Sequence, residues 1–110
     1  MLYNQASFKN SRIASRKPTT SADTDEGVIA AGPANTLVRP LNQNRTYLTL
    51  RSEAVTAGDD IRYDYFDNPA ILTEGFLLKA GEAVDLESPQ AIYARAVANP
   101  VNYSIDEGQG

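Results

Sequence analysis

Four aspartates, Asp59, Asp60, Asp64 and Asp67, lie close together and could gather a calcium ion. Their spacing lacks the loop glycine and closing glutamate of an EF-hand. An Asp at a turn, or one facing solvent from a strand, explains them as well. Glu82, Asp85 and Glu87 are paired carboxylates of the sort that perform acid–base work. On the outer face of one strand they equally serve solubility and block edge pairing. The chain has no His and no Cys. That removes the commonest general base and metal ligand, any Ser–His arrangement, disulfides and thiolate zinc sites. Lys79 stands beside a turn, whereas a nucleophilic lysine must be desolvated. No catalytic residue, metal or cofactor is expected, and the chain does not read as an enzyme.

Tyrosines next to arginines carry a different chemistry. Tyr47 lies between Arg45 and Arg51, and Tyr93 precedes Arg95 by two positions. Exposed Tyr and Arg together are the composition of a protein-binding patch. Cross-strand pairing on a solvated sheet face accounts for them equally, and a carbohydrate site would use the same rings. Tyr47, Arg51, Tyr93 and Arg95 are the candidate binding residues of the body.

The elements that would position them begin at Thr36. Short apolar runs alternate with turns: Thr36 to Leu41, Arg45 to Ser52, Asp60 to Phe66, Ala83 to Glu87, Ala91 to Ala98 and Val101 to Ile105, with brief runs at Ile71-Leu72 and Phe76-Leu77-Leu78. In Arg45 to Ser52, Leu48 and Leu50 share one face, and Arg45, Tyr47, Thr49 and Arg51 share the other. That is the period of a half-buried strand. About seven strands separated by turns every 8 to 12 residues or so predict a small β-sandwich, jelly-roll-like or Greek key. No segment has the caps and periodicity of a helix. Asp106 to Gly110 reads as a loose polar tail.

Residues 1–35 differ in kind. Leu2, Tyr3, Phe8 and Ile13 are isolated hydrophobes at spacings of neither helix nor strand, and Lys9, Arg12, Arg16 and Lys17 are cations without an acid among them. Pro18 to Gly27 reads as a linker. Val28 to Ala31 reads as extended chain against the edge of the body, closed by Gly32-Pro33. Composition predicts an extended N-terminal arm over 1–35 and a β body over 36–110, with the eight residues named first in this paragraph as the arm's anchors on a partner. The net charge is −4. Residues 36–110 hold six cations and eleven acids, a balance of −5, so the body would repel nucleic acid. No run approaches the roughly 20 apolar residues of a membrane span, and the start lacks the order of a signal peptide. A soluble protein made in the cytoplasm is expected. A body this small buries only roughly 60% of its unfolded surface, so self-association as a dimer or trimer would supply the stability that disulfides do not.

Three segments carry a family resemblance: Asn44-Arg45-Thr46-Tyr47-Leu48-Thr49-Leu50-Arg51, then Leu77-Leu78-Lys79-Ala80-Gly81-Glu82-Ala83-Val84-Asp85-Leu86, then Pro89-Gln90-Ala91-Ile92-Tyr93-Ala94-Arg95-Ala96. Their order resembles small β-sandwich structural proteins of tailed bacteriophages, above all the head decoration, or cement, proteins. The resemblance spans about residues 36 to 106. It implies a virion protein on the outer capsid surface that stabilises the shell, with an arm lying across neighbouring major capsid subunits. Tail, neck or fibre adaptors share the same rhythm, and a host-glycan-binding module is a further alternative.

Overall fold

A computed structural model describes residues 18–110, and the arm anchors Leu2, Tyr3, Phe8, Lys9, Arg12, Ile13, Arg16 and Lys17 lie outside the described residues. Eight strands follow in order among those described: β1 (Ser21–Ile29), β2 (Thr36–Arg39), β3 (Arg45–Ser52), β4 (Ile61–Asp64), β5 (Phe76–Leu78), β6 (Ala83–Leu86), β7 (Ile92–Ala96) and β8 (Val101–Gln109). A single helical turn, α1 (Ile71–Glu74), interrupts them between β4 and β5. They form two four-stranded antiparallel sheets, ordered β1-β8-β3-β6 and β2-β7-β4-β5. That interleaving, in which successive strands alternate between sheets except at the β4-β5 pair, is an eight-stranded jelly roll. The predicted β-sandwich is the observed fold. No helix among the described residues is long and apolar enough to cross a membrane.

Period-two alternation builds the core between the sheets. Leu48 and Leu50 of β3, Ile61 of β4, Ile92 and Ala94 of β7, and Ile29 of β1 are wholly buried. Each large aliphatic side chain so buried contributes about 1.5–3 kcal/mol. Ala94 and Ala96 sit on the inner face of β7, where their small side chains let the facing sheet approach. Two four-residue turns, Thr56–Asp59 and Lys79–Glu82, close through the N–H of the fourth residue on the carbonyl of the first, at 3.1 and 3.0 Å. The third residue of each is a glycine at positive φ, Gly58 at 93° and Gly81 at 80°, a backbone state that L side chains resist.

Two expectations are corrected here. Pro18 to Gly27 is no linker. Ser21–Ile29 runs antiparallel to β8 through nine paired positions, from Ser21↔Gln109 to Ile29↔Val101. The β body therefore begins near residue 20, not at Thr36. Asp106 to Gly110 is likewise no loose tail, because β8 continues to Gln109 and pairs with β3 as far as Arg45↔Gln109. Gly110 N–H then donates to the Asn44 carbonyl at 2.9 Å.

The chain from Phe66 to Gly75 folds back on the β2-β7-β4-β5 sheet, with α1 packed against β4 and β7. Ile71 is fully buried there. Gly75 closes the excursion, its N–H on the Ile71 carbonyl at 2.9 Å. A Cβ on Gly75 would lie 2.8 Å from the Ile71 carbonyl oxygen and 2.9 Å from that of Tyr63. Both are backbone atoms, so the strain cannot be relieved by a side-chain rotation. Gly75→Ala is expected to cost about 1–3 kcal/mol, read as a lower midpoint in urea unfolding. An unchanged midpoint would show that α1 is free to shift.

Candidate functional site

Sheet parity decides what each candidate side chain can meet. On β3, Leu48, Leu50 and Ser52 point inward, so Tyr47, Thr49 and Arg51 point out. The register of the outer face gives one row Thr24, Asp106, Thr49, Asp85 and a second row Glu26, Ser104, Arg51, Ala83. Thr49 donates to Asp85 at 2.7 Å and Ser104 to Glu53 at 2.7 Å. The Tyr47 hydroxyl donates to Asp106 at 3.3 Å. The Tyr47 ring lies over Gly108, where a Cβ would overlap it. Arg51 is exposed and has no ion-pair partner among the described residues. Two shallow hollows of about 530 and 420 Å³ indent this face, around Glu53 and Asn102 and around Thr49 and Arg51. The surface is wide, polar and acidic.

Tyr93 and Arg95 are elsewhere. Both are on β7, on the outer side of the other sheet, so the four body candidates do not form one patch. Tyr93 is half-buried between Leu37 and Asp64 in register. Arg95 is a correction, because it is buried. Its Nε donates to the Asn35 side-chain oxygen at 2.9 Å and its Nη2 to the Pro69 carbonyl at 3.3 Å. It fastens the Phe66–Gly75 excursion to the sheet and is not available to a partner.

Arg45 is a second correction. It belongs with Tyr47 by simple alternation, yet a register shift between Arg45 and Tyr47 rotates it inward. Such bulges re-aim a side chain. The Arg45 side chain is 0% exposed and its Nε lies 2.6 Å from Glu107 Oε2. Its remaining donors reach the Ser88 and Gln90 carbonyls at 2.8 and 2.7 Å and the Pro40 carbonyl at 3.0 Å. One guanidinium thus fastens the β2–β3 and β6–β7 loops to β8. Glu107 is shared: its Oε1 accepts from Arg39 Nε at 2.8 Å, and Asn42 Nδ2 donates to the same Oε2 as Arg45 at 3.2 Å. Arg39 in turn pairs with Asp23 at 2.8 Å and Asp25 at 3.4 Å on β1. Burial pushes the Glu107 carboxyl up, but hydrogen bonds from Arg45 and Asn42, the charge of Arg45 and the Arg39 bond outweigh it and hold the group below its usual value. Burial lowers Arg39, and its bonds to Asp23 and Glu107 more than restore it. The cluster closes one end of the sandwich and ties the sheets together. It is engaged on every side, which makes it a structural clasp.

The acidic residues are dispersed. Asp59 accepts from Asn99, Asp60 from the Ala80 N–H, Asp64 from the Tyr65 N–H and Asp67 from Asn35, so each holds a different turn. Among the described residues no three His, Cys, Asp or Glu come together as metal ligands. Sequence reasoning did not find the β4–β5 edge, where the Phe76 ring stands 5.3 Å from Tyr63 and 6.4 Å from Tyr65. Phe76 and Leu77 remain 56% and 42% exposed. The signal was present as an apolar run, Phe76-Leu77-Leu78, too short to declare which side it faced.

No family model matches the sequence, and no curated protein matches it. Solved structures do resemble it. A transcriptional regulator of the HTH_3 family from Vibrio cholerae aligns with a TM-score of 0.59 at 13% identity, over 83% of this chain and 44% of that one. This chain therefore spans less than half of that regulator's length. A cupin protein from Bacteroides fragilis gives 0.54 at 14% identity, over 83% of this chain and 68% of the other. A de novo designed double-stranded β-helix gives 0.52 at 12% identity, over 77% and 97%. The molecule is a small cupin-like jelly roll. At these identities the likeness concerns architecture, and function must come from the surfaces.

Proposed function

We propose that this protein is a structural component of a phage particle, a decoration protein that sits on the outer capsid surface and stabilises the shell by gripping neighbouring major capsid subunits through residues 1–17. The observation that carries the reading is the way that segment is anchored. It leads through Pro18–Thr20 directly into β1, an edge strand paired with β8 over nine positions. Thr20 N–H donates to the Gln109 carbonyl at 2.8 Å, and Thr19 meets the Thr46 hydroxyl at 2.6 Å. A pull directed along β1 would be shared by every β1–β8 pair at once and pass to β8, which lies inside its sheet. Scattered hydrophobes and cations on such a tether suit separate pockets on a large partner, and many copies on a symmetric shell multiply a weak grip. Made in the host cytoplasm, the protein would join the virion at assembly.

Deleting residues 2–17 tests this. The body should stay folded, and occupancy on purified heads, counted by cryo-electron microscopy, should fall at least tenfold. Full occupancy by the truncated chain would overturn the reading. A few copies at one vertex would transfer the protein to the tail or neck. Binding to a glycan array, lost in Tyr47→Ala, would favour host-glycan recognition.

A further inference from the structure

Charge is divided unevenly along this chain. All fourteen acids and six of the ten cations lie in residues 18–110, a balance of −8. Residues 1–17 hold the other four cations, Lys9, Arg12, Arg16 and Lys17, and no acid. The acids of the body are unevenly placed in turn. The outward positions of β1, β8, β3 and β6, with Glu53 just after β3, present Glu26, Asp106, Asp85 and Glu53, all exposed, against the single cation Arg51. Glu26 and Glu53 flank the larger hollow of this face, and Glu26 and Asp106 flank the smaller. The other sheet differs. Its outward strand positions place Arg62 opposite Arg95 in register, with one acid, Asp64. The chain enters the acidic face at a corner. Gly108 is an outward position of β8, and Thr19 and the Tyr47 ring both crowd the place that its Cβ would take. Four residues of strand, about 14 Å, separate Gly108 from Ser104 between the hollows. An extended chain covers up to about 3.5 Å per residue, so Arg12, six residues before Pro18, reaches that far.

We propose that residues 1–17 dock across the acidic outer face of their own chain, with Arg12 and its neighbouring cations at the two hollows. Charge and tethering select this occupant. The segment is uniformly cationic and the face is acidic, so the two are complementary. Exposed ion pairs are individually weak. A segment joined to a corner of the face is presented to it at an effective concentration of about millimolar, and several weak pairs then act together. The same four cations cannot hold the body and a partner at once. Docking therefore competes with anything else the segment binds, and a partner must displace the acidic face to engage it. This goes beyond the decoration reading and does not depend on what that partner is.

The chain has no Cys, so Ser11→Cys supplies one site for a nitroxide spin label between Lys9 and Arg12. In the full chain at about 10 mM salt, where charges act over about 30 Å, the label should erase the amide NMR signals of Ser104, Thr49 and Arg51. It should spare those of Leu37 and Tyr93 on the opposite sheet. The lost signals should return at about 1 M salt, where the screening length is about 3 Å, and in the double variant Glu26→Lys, Glu53→Lys. No loss at low salt, equal loss on both sheets, or a pattern that neither salt nor charge reversal changes overturns the proposal. Should the double variant not fold, Lys9→Gln, Arg12→Gln, Arg16→Gln and Lys17→Gln together alter no residue of the body and decide the same question. Spin-labelled chain mixed with isotope-labelled chain that carries no spin label should show no loss. Loss there would mean that the segment reaches a second copy, which overturns docking on its own chain. These signals read the free protein and occupancy reads the particle, so this contact and the decoration reading can fail separately.

Discussion

Glu107→Gln is expected to lower the unfolding free energy by about 3–5 kcal/mol, the usual consequence of removing one partner from a buried ion pair. The arginine it leaves behind is wholly enclosed, since the Arg45 side chain is 0% exposed. Arg45 would keep its three loop carbonyls and lose its only counter-charge among the described residues. Arg39 would keep Asp23 and Asp25, which are exposed and correspondingly weak partners. Small domains have only about 5–15 kcal/mol in hand, so the loss is a large share of the total. The pH dependence follows from the depressed Glu107 carboxyl. A group whose folded pKa is below its unfolded one stabilises fully above the unfolded value, 4.5 by reference, and that stability is lost as pH falls through the folded value. Urea unfolding from pH 7 to pH 2 should therefore show the wild-type advantage at neutral pH shrink below about pH 4.5, until the two proteins converge. Parallel curves across the whole range would mean that Glu107 is not the acid-sensitive partner.

Two truncations should part company just as widely. Removing residues 2–17 leaves all eight strands in place and should preserve a single cooperative unfolding transition. Removing residues 2–35 should abolish cooperative folding. The second cut takes away β1, with Ile29 fully buried at its end. It also takes the Asp23 and Asp25 partners of Arg39 and uncovers β8, whose inward positions Val101, Tyr103, Ile105 and Glu107 are all buried. An uncovered edge of that length invites association with other chains. Thermal unfolding and light scattering on both products check this. A well-folded, monomeric 36–110 fragment would return the boundary to Thr36.

What the sequence disclosed and what it hid follow from the same rule. Period-two alternation made β3 legible from Tyr47 onward, because Leu48 and Leu50 face a continuous core while Thr49 and Arg51 face water. It exposed the inner faces of β4 and β7 for the same reason. It did not disclose β1, whose inward positions Asp23 and Asp25 face a cation instead of a core. It put Arg45 on the wrong side, because one bulge reverses parity and no local residue announces it. The second half of β8 looked like a tail, although Glu107 continues the inward series Val101, Tyr103, Ile105. Its partners, Arg39 and Arg45, are more than sixty positions away in the chain and meet it only through the fold. Arg95 was misplaced for a related reason, since the cover that buries it arrives from Pro69. The candidate surface was thus half visible: Tyr47 and Arg51 are where alternation puts them, and the β5 edge was too short to carry a pattern.

The meeting of Pro18 with Gly110 has a practical side. The Pro18 carbonyl abuts Gly110, at the Asn44 end of β3. A tag or cargo appended after Gly110 would emerge beside Pro18, where residues 1–17 join the body. The loop after Ser52, at the other end of β3, is remote from that junction: Val55 is 97% exposed, and an insertion between it and Gly58 would carry a payload away from Pro18.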